Sequence, residues 1–145
     1  MLSIFGCKNN TGNNLKFDVN TVADALNSNL SFGESLEKST PEVLFSIYGV
    51  DASLCTNAAF YSNSGAVADE VAVFECTDSS ASNEITEAIN NRIEYLRDGY
   101  SSYGPDQVPK IDKATVISDG NIIVFCICNN SEEVSKLFYS TATAQ

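Results

Sequence analysis

The feature that most constrains the fold is a long apolar stripe between Ser82 and Tyr103. Its members recur at steps of four or three residues, and they are Ile85, Ile89, Ile93, Leu96, Tyr100 and Tyr103. Residues at these spacings share one side of an α-helix. A helix with one apolar side needs an apolar surface to cover. The segment therefore predicts a long amphipathic helix across one face of a sheet.

Two hairpin-like segments flank this helix and predict the sheet. The first pairs Thr56 to Ser62 with Glu70 to Thr77, and its apolar residues fall on both sides of each strand. The second pairs Ala114 to Ser118 with Asn121 to Cys128 across Asp119-Gly120, a strong turn signal because both residues tolerate positive φ. The last of these strands is apolar almost throughout, so it is expected to lie in the sheet interior, buried on both faces.

Capping residues predict three further helices. One runs from its cap Asp18 to Asn29. A second begins after its cap Thr40, with Pro41 at the first helical position, and ends before Gly49. The last begins at Asn130, with Glu133 at the spacing of a capping box. Two helices thus precede the sheet and one follows it.

These elements define the fold class as α+β. We expect a mainly antiparallel sheet of about four strands from two hairpins. The long amphipathic helix and the C-terminal helix are expected on one face, and the two N-terminal helices over one end. A chain of 145 residues that is 43% hydrophobic fits a single core. The predicted boundaries are a signal remnant at 1–7, a flexible tether at 8–17 and one domain at 18–142.

Charge and composition exclude several classes of function. The chain has 19 acidic and 8 basic residues, a net charge of −11, which repels nucleic acid and anionic membrane surfaces. Histidine is absent from the sequence, which excludes Ser-His and Cys-His nucleophiles and His-ligated metals. We expect no cofactor and assign no catalytic residue.

The chain has five cysteines, and because this number is odd, at least one of them is not in an internal disulfide. Cys126 and Cys128 lie two apart on one strand, a poor geometry for bonding to each other, and they could reach Cys76 only in a suitable strand register. A four-cysteine zinc site that also uses Cys55 is conceivable, but structural zinc sites usually draw on closer cysteine pairs in loops. The favoured interpretation is no metal and four small buried thiols in reduced form.

Cys7 is a candidate lipid attachment site. It ends the apolar run Ile4-Phe5-Gly6, as the cysteine of a bacterial lipobox does, and a polar Asn- and Gly-rich run follows it. The basic front of a signal peptide is missing, and the apolar segment is short. If Met1 is the true start, the alternative is a cytoplasmic protein. Lipidation would hold the protein at the membrane without a spanning helix.

Clustered carboxylates are the next candidates for chemistry. Asp69, Glu70 and Glu75 could perform acid–base catalysis or bind Ca²⁺. Strand alternation places Glu70 and Glu75 on opposite faces, which disfavours a shared site. We expect these groups to be solvated charges, as are the acids of the outer helix face, Glu84, Glu87, Glu94 and Asp98.

Tyrosines with a polar loop supply the ligand-binding candidates. A groove for a peptide or a glycan could be lined by Tyr48, Tyr61, Asn63, Ser64, Tyr100 and Tyr103. Tyr100 and Tyr103 also continue the apolar stripe of the helix, so core or rim packing is the competing interpretation.

Several segments together carry a family resemblance, over about Val19 to Phe138. They are Tyr48-Gly49-Val50-Asp51, Ala59-Phe60-Tyr61-Ser62 running into Gly65-Ala66, Ala68 to Glu75, Ile89-Asn90-Asn91-Arg92 and Gly120 to Val124. In these the chain resembles the bacterial domain of unknown function 4358. The resemblance implies a secreted, lipid-anchored protein of Gram-positive, mostly anaerobic bacteria, and it brings no known activity or catalytic residues.

Two functions remain open from the sequence. The first is a non-catalytic binding or accessory module tethered to the extracellular face of the membrane, whose partner is a ligand or envelope protein of unknown identity. The alternative is a carboxylate- or thiol-dependent hydrolase of the cell envelope. The alternative requires a deep cleft with a carboxyl group of raised pKa, or an exposed and activated cysteine.

Overall fold

The computed structural model describes residues 4–5 and 15–144. Cys7 and the first part of the predicted tether lie outside the described residues. The strands are β1 (Ile4–Phe5), β2 (Leu15–Lys16), β3 (Glu37–Ser39), β4 (Cys55–Ser62), β5 (Glu70–Cys76), β6 (Thr115–Asp119), β7 (Ile122–Ile127) and β8 (Thr143–Ala144). The helices are α1 (Val19–Asn29), α2 (Pro41–Tyr48), α3 (Ser79–Tyr103), α4 (Val108–Asp112) and α5 (Val134–Ser140).

The main sheet has the strand order β1-β6-β7-β5-β4-β3. Its last five strands are antiparallel, and only the short β1 runs parallel to its neighbour β6. β5 and β7 lie side by side in the interior, as the sequence predicted, and every residue of β7 is buried. The α+β class is therefore confirmed. The β6–β7 turn is one residue later than expected, because Asp119 still pairs with Ile122 and Gly120 takes the positive φ of 56°.

The long helix covers one face of the sheet, as predicted. α3 begins three residues earlier than expected because the carboxylate of Asp78 accepts the backbone N–H of Ala81. Its stripe packs with Phe74 of β5 and Phe125 of β7 in a shared core. α2 joins this face through Leu44 and Tyr48, and α4 through Ile111. Tyr103 does not belong to the buried stripe, because it is exposed at the helix end.

The C-terminal helix lies on the opposite face, so its predicted placement beside α3 is wrong. α5 packs on α1, where Val134 and Phe138 join the second core. The reason is visible where the chain leaves β7. The backbone N–H of Asn129 donates to Ser31 O at 2.8 Å, and Asn130 Oδ1 accepts from Ser31 N at 2.9 Å. These contacts direct the chain to the α1 side, and they use the Asn130 side chain that was expected to cap α5.

The two N-terminal helices also lie on opposite faces and not over one end. α1 packs on the second face, while α2 packs on the first face with α3. Since β5 and β7 are apolar on both sides, each face needs a helical cover, and the short chain divides its helices between them.

The folded domain begins earlier than the predicted boundary. Leu15–Lys16 pairs with Thr143–Ala144, and the ring of Phe17 is buried and stacked on Phe138 at 4.2 Å between centroids. Residues 15–17 are therefore part of the domain, which corrects the last three residues of the predicted 8–17 tether. The domain likewise extends past 142 to β8.

Candidate functional site

Two acidic residues at the start of β5 are buried, which corrects their expected solvation. Asp69 is 1% exposed and Glu70 is 3% exposed. Asp69 accepts hydrogen bonds from Lys110 Nζ and from the backbone N–H of Gly33, both at 2.7 Å. Each carboxylate is paired with a cation, which is the usual requirement for burying a charge.

Glu70 is held by two side chains from different helices. Arg92 of α3 donates through Nε at 3.1 Å and through Nη2 at 2.8 Å, and the Tyr48 hydroxyl at the end of α2 donates at 2.5 Å. Burial lowers the pKa of Arg92, but the hydrogen bonds and charge of Glu70 outweigh it, so the guanidinium pKa lies above its ordinary value. Burial, reinforced by Glu70, raises the pKa of Tyr48 well above its usual value. Arg92 therefore stays charged and the Tyr48 hydroxyl stays protonated around neutral pH.

A surface hollow lies directly beside this cluster. Its volume is about 260 Å³, and it is lined by Asn63, Gly65, Val67, Ala68, Asp69, Glu70, Arg92, Tyr95, Leu96, Gly99, Tyr100 and Tyr103. A second hollow of about 520 Å³ lies on the other side of Arg92 and Tyr95, which line both. We call the two hollows together the tyrosine groove. The second hollow falls within the size range typical of ligand sites, and the first lies just below it.

One flank of α3 forms the floor of the groove. Arg92, Tyr95, Gly99 and Tyr103 follow one another at helical steps of three and four, so their positions share a side of the helix. Tyr95 is 70% exposed and Tyr103 is 66% exposed, although both are large aromatic residues. Between them, a Cβ at Gly99 would meet no atom within 4 Å. The missing side chain at this position leaves the hollow open.

The opposite wall is the loop between β4 and β5, which its own side chains hold in place. Asn63 Nδ2 donates to the carbonyls of Val67 and Asp69, and its Oδ1 accepts from the backbone N–H of Gly65. The Gly65 carbonyl accepts from the hydroxyls of Tyr100 and Tyr103, at 2.8 and 2.9 Å. Gly65 has φ of 102°, a conformation that other residues rarely adopt. The loop is thus fixed to α3 by two tyrosines.

Arg92 has hydrogen-bonding capacity left over. Among the described residues, the Nη1 group of Arg92 has no hydrogen-bond partner. Every buried side-chain nitrogen or oxygen in that part of the chain has a partner, so Nη1 is not a buried atom. Nη1 is therefore accessible from the hollows that Arg92 lines. The guanidinium carbon also lies 5.6 Å from the ring centre of Tyr95. The groove thus offers a cationic donor beside an exposed aromatic ring.

The structure brings four of the six ligand candidates to the groove. Asn63, Tyr100 and Tyr103 line the first hollow and Tyr48 lines the second. Tyr61 lies on the other face of the sheet, where its hydroxyl donates to Asp24, and Ser64 does not line either hollow. Asn63 is engaged with its own loop. Whether these residues bind a ligand stays a prediction.

Sequence reasoning missed Arg92, Tyr95 and Gly99. A signal was present for each. Arg92 stands next to Ile93 on the edge of the buried stripe, and Tyr95 follows it by three residues. Gly99 lies inside the predicted helix, where a glycine costs about 1 kcal/mol relative to alanine and leaves a gap in the helix surface.

The remaining sequence candidates lie apart from the groove. Glu84, Glu87, Glu94 and Asp98 are exposed, as predicted, and the hydroxyl of Thr56 donates to Glu75 on the opposite strand face from Glu70. The four cysteines of the described residues are free thiols; Cys76, Cys126 and Cys128 are buried as predicted, whereas Cys55 is partly exposed. Cys55 and Cys76 pack with the first core and Cys126 and Cys128 with the second, so the sheet separates the two pairs.

The fold and the groove define a small α+β domain with a buried ion pair beneath an aromatic-lined surface. The family model described as domain of unknown function (DUF4358) matches residues 18–128, and the chain belongs to this family. That match covers the whole groove. Comparisons with curated proteins and with solved structures gave no match. Among the described residues, no helix has the length and apolar character required to cross a bilayer.

Proposed function

We propose that this chain is a non-catalytic binding module of the cell envelope and that the tyrosine groove is its ligand site. The observation that carries the proposal is the pair of exposed rings, Tyr95 and Tyr103, on either side of the gap at Gly99. Large exposed aromatic side chains beside a polar cavity are common in binding surfaces, because they bury much apolar area at little entropic cost.

The state of the ionisable groups supports binding over catalysis. Glu70 and Asp69 are each neutralised by a paired cation, so neither is a free acid or base beside the groove. Cys76, Cys126 and Cys128 are buried, and Cys55 does not line the groove. A hydrolase of the kind considered above needs a free carboxyl group or an accessible thiol at the cleft.

The chemistry of the groove defines the ligand that it fits. The rings offer flat apolar contact, and Arg92 Nη1 offers a donor to a carbonyl or hydroxyl oxygen. The net charge of −11 disfavours an anionic ligand. The groove therefore fits a neutral polar chain with ring or methylene faces, as found in the N-acetylated sugars of the bacterial cell-wall glycan.

The proposed location is the outer face of the cell membrane, with a lipid on Cys7. The polar composition of the run that follows Cys7 supports its role as a spacer between the lipid and the domain. Because Leu15 pairs with Ala144 within the domain, the spacer ends before Leu15. Processing at Cys7 would remove Ile4–Phe5, the strand that pairs with Val116–Ile117. In the lipidated form β6 would then be the edge of the sheet.

Fractionation of the native gene product in its host tests this location. The full-length protein is expected in the membrane fraction, and Cys7→Ser is expected to move it to the soluble fraction. An unchanged membrane-bound fraction of Cys7→Ser would contradict lipid anchoring at this residue and leave the binding proposal standing.

A blocking variant tests the groove itself. Gly99→Leu is expected to fill the first hollow without a clash, because a Cβ there meets open space. The matched control is Asp98→Leu, which adds the same side chain at an exposed neighbouring position outside both hollows. The probe is neutral glycan fragments, as N-acetylglucosamine oligosaccharides, and binding is measured by titration calorimetry. We expect Gly99→Leu to lower the affinity at least about tenfold, or about 1.4 kcal/mol. Equal affinity in both variants, or no binding by the parent domain, would contradict the proposal.

A further inference from the structure

We infer that Cys55 and Cys76 are an oxidisable pair that closes into a cross-strand disulfide between β4 and β5. The pair lies at the open end of this hairpin, whereas the loop that joins the two strands forms the wall of the groove. The inference is therefore independent of the proposed ligand site.

The strand register places the two cysteines directly opposite each other. Cys55 is the Cα partner of Cys76, and both side chains pack with the core beneath α3. Cα atoms of directly opposite residues are about 4.5 to 5.5 Å apart, which lies within the range of disulfides. Partners in an antiparallel pair also point to the same side of the sheet, as a disulfide requires.

The hydrogen bonds identify the closer of the two kinds of pair. The backbone N–H of Cys76 donates to Asn121 O at 2.7 Å, so it points toward β7 and away from Cys55. The next residue, Thr77, donates to Leu54 O on the β4 side. Cys55 and Cys76 are therefore a non-hydrogen-bonded pair, in which side chains approach most closely. The register shift between Cys55 and Asn57 gives local freedom for the small adjustment that bond formation requires.

The two thiols have different roles in the reaction. Cys55 is partly exposed and Cys76 is buried, so an organic disulfide such as oxidised glutathione meets Cys55 first. The Cys55 thiolate attacks one sulfur of the oxidant, forms a mixed disulfide and releases one thiol. The Cys76 thiolate then attacks the sulfur of Cys55, and a second thiol leaves. The protein loses two electrons and two protons, and the oxidant is reduced to two thiols. In the reduced pair the Cys55 thiol donates to the Cys76 sulfur, which raises the pKa of Cys55 and lowers the pKa of Cys76. Exposure, and not acidity, therefore selects Cys55 for the first step.

The other cysteine pair provides an internal control. Cys126 and Cys128 lie two residues apart on one chain segment, and their Cα atoms are not strand partners. An extended segment separates such Cα atoms by about 6.5 Å, near the upper limit for a disulfide. Both are buried, so they are not expected to react with the oxidant in the folded protein.

The experiment treats the folded Cys7→Ser protein with oxidised glutathione and follows its mass. We expect a loss of about 2 Da, for two hydrogens, without a stable glutathione adduct. Digestion without reductant after acidic residues cuts at Asp69 and Glu70, which lie between the cysteines, and should give linked fragments containing Cys55 and Cys76. Cys76→Ala should instead keep glutathione on Cys55, and Cys126→Ala should behave like the parent.

Three results would overturn the inference. They are a persistent glutathione adduct on the parent protein, no reaction at Cys55, and an internal disulfide that still forms in Cys76→Ala. Thermal melting gives a second measure, because a cross-link that closes a loop raises the midpoint, here by several degrees. An unchanged or lower midpoint of the oxidised protein would show that the native strand geometry does not accommodate the bond.

Discussion

Arg92 and Glu70 form a two-point ion pair between α3 and β5, with Nε–Oε2 and Nη2–Oε1 distances of 3.1 and 2.8 Å. Both oxygens of the carboxylate are engaged, so the guanidinium plane is fixed. This pair fastens the long helix to the sheet and at the same time orients Arg92 toward the groove. Stability and the geometry of the candidate site are therefore linked at one contact.

Removing Arg92 should destabilise the domain. Arg92→Met leaves Glu70 buried with the Tyr48 hydroxyl as its remaining side-chain donor. The loss of one partner from a buried pair typically costs about 3–5 kcal/mol of unfolding free energy. Because the Arg92 side chain is 16% exposed, we expect a value near the lower end of that range. Urea unfolding measures it.

The ion pair of Arg97 and Asp112 is the matched control, because both side chains are more than a third exposed, at 35% and 43%. Arg97→Met should cost less than about 1 kcal/mol. Equal losses in the two variants would mean that the Arg92–Glu70 pair is no more important than a surface contact.

Tyr48 should make the domain sensitive to alkaline pH. Its folded pKa is raised by burial and by Glu70 above the ordinary value of 10.0, so the folded state keeps the proton that the unfolded state loses. The contribution of this raised pKa to the free energy of unfolding is complete below pH 10.0 and is lost as the pH rises above that value.

Comparison with Tyr48→Phe isolates this effect. The variant should be less stable at pH 8 by about 1.5–3 kcal/mol, for a hydrogen bond to a charged group. The difference should then shrink by up to about 1.4 kcal/mol per pH unit above 10. Unfolding curves at several pH values test this, and a difference that does not change with pH would disprove the assigned role of Tyr48.

Ile93 should be among the most important apolar contacts of α3. It is fully buried between the helix and the sheet. Ile93→Ala removes three carbon atoms from this core and should cost about 2–5 kcal/mol. The neighbouring Glu94→Ala, at an exposed position, serves as the control. A loss below about 0.5 kcal/mol for Ile93→Ala would mean that the stripe is not packed as described.

Thiol titration should separate Cys55 from the other cysteines. In the Cys7→Ser background, we expect at most one thiol per native chain to react, because Cys76, Cys126 and Cys128 are buried. The remaining groups should react only after unfolding. Rapid reaction of three or four thiols in native protein, or a stoichiometric zinc ion, would contradict the described burial.

Local patterns predicted the elements well because each rests on neighbouring residues. Asp18 and Thr40 cap α1 and α2 as expected, since their side chains accept the N–H groups of Thr21 and Val43. The apolar run of β7 correctly indicated an interior strand. Such signals depend on spacing within one segment and need no knowledge of the rest of the chain.

Long-range placement could not be predicted in the same way. The side of the sheet that α5 covers depends on Ser31, which lies 99 residues before its partner Asn130. The burial of Asp69 and Glu70 depends on Lys110 and Arg92, which strand alternation alone does not reveal. The candidate site was found only in part for this reason, because its groove arises from contacts between separate elements.

Chemical-shift mapping tests the central claim most directly, because it shows where a ligand binds without a variant. Neutral glycan fragments, as N-acetylglucosamine oligosaccharides, would be added to the ¹⁵N-labelled domain. We predict saturable shifts at Gly65, Gly99 and Tyr103, with little change at Ala23 and elsewhere on the α1 face. Shifts centred on the α1 and α5 face, or no shift at millimolar fragment, would contradict the assignment of the tyrosine groove as the ligand site.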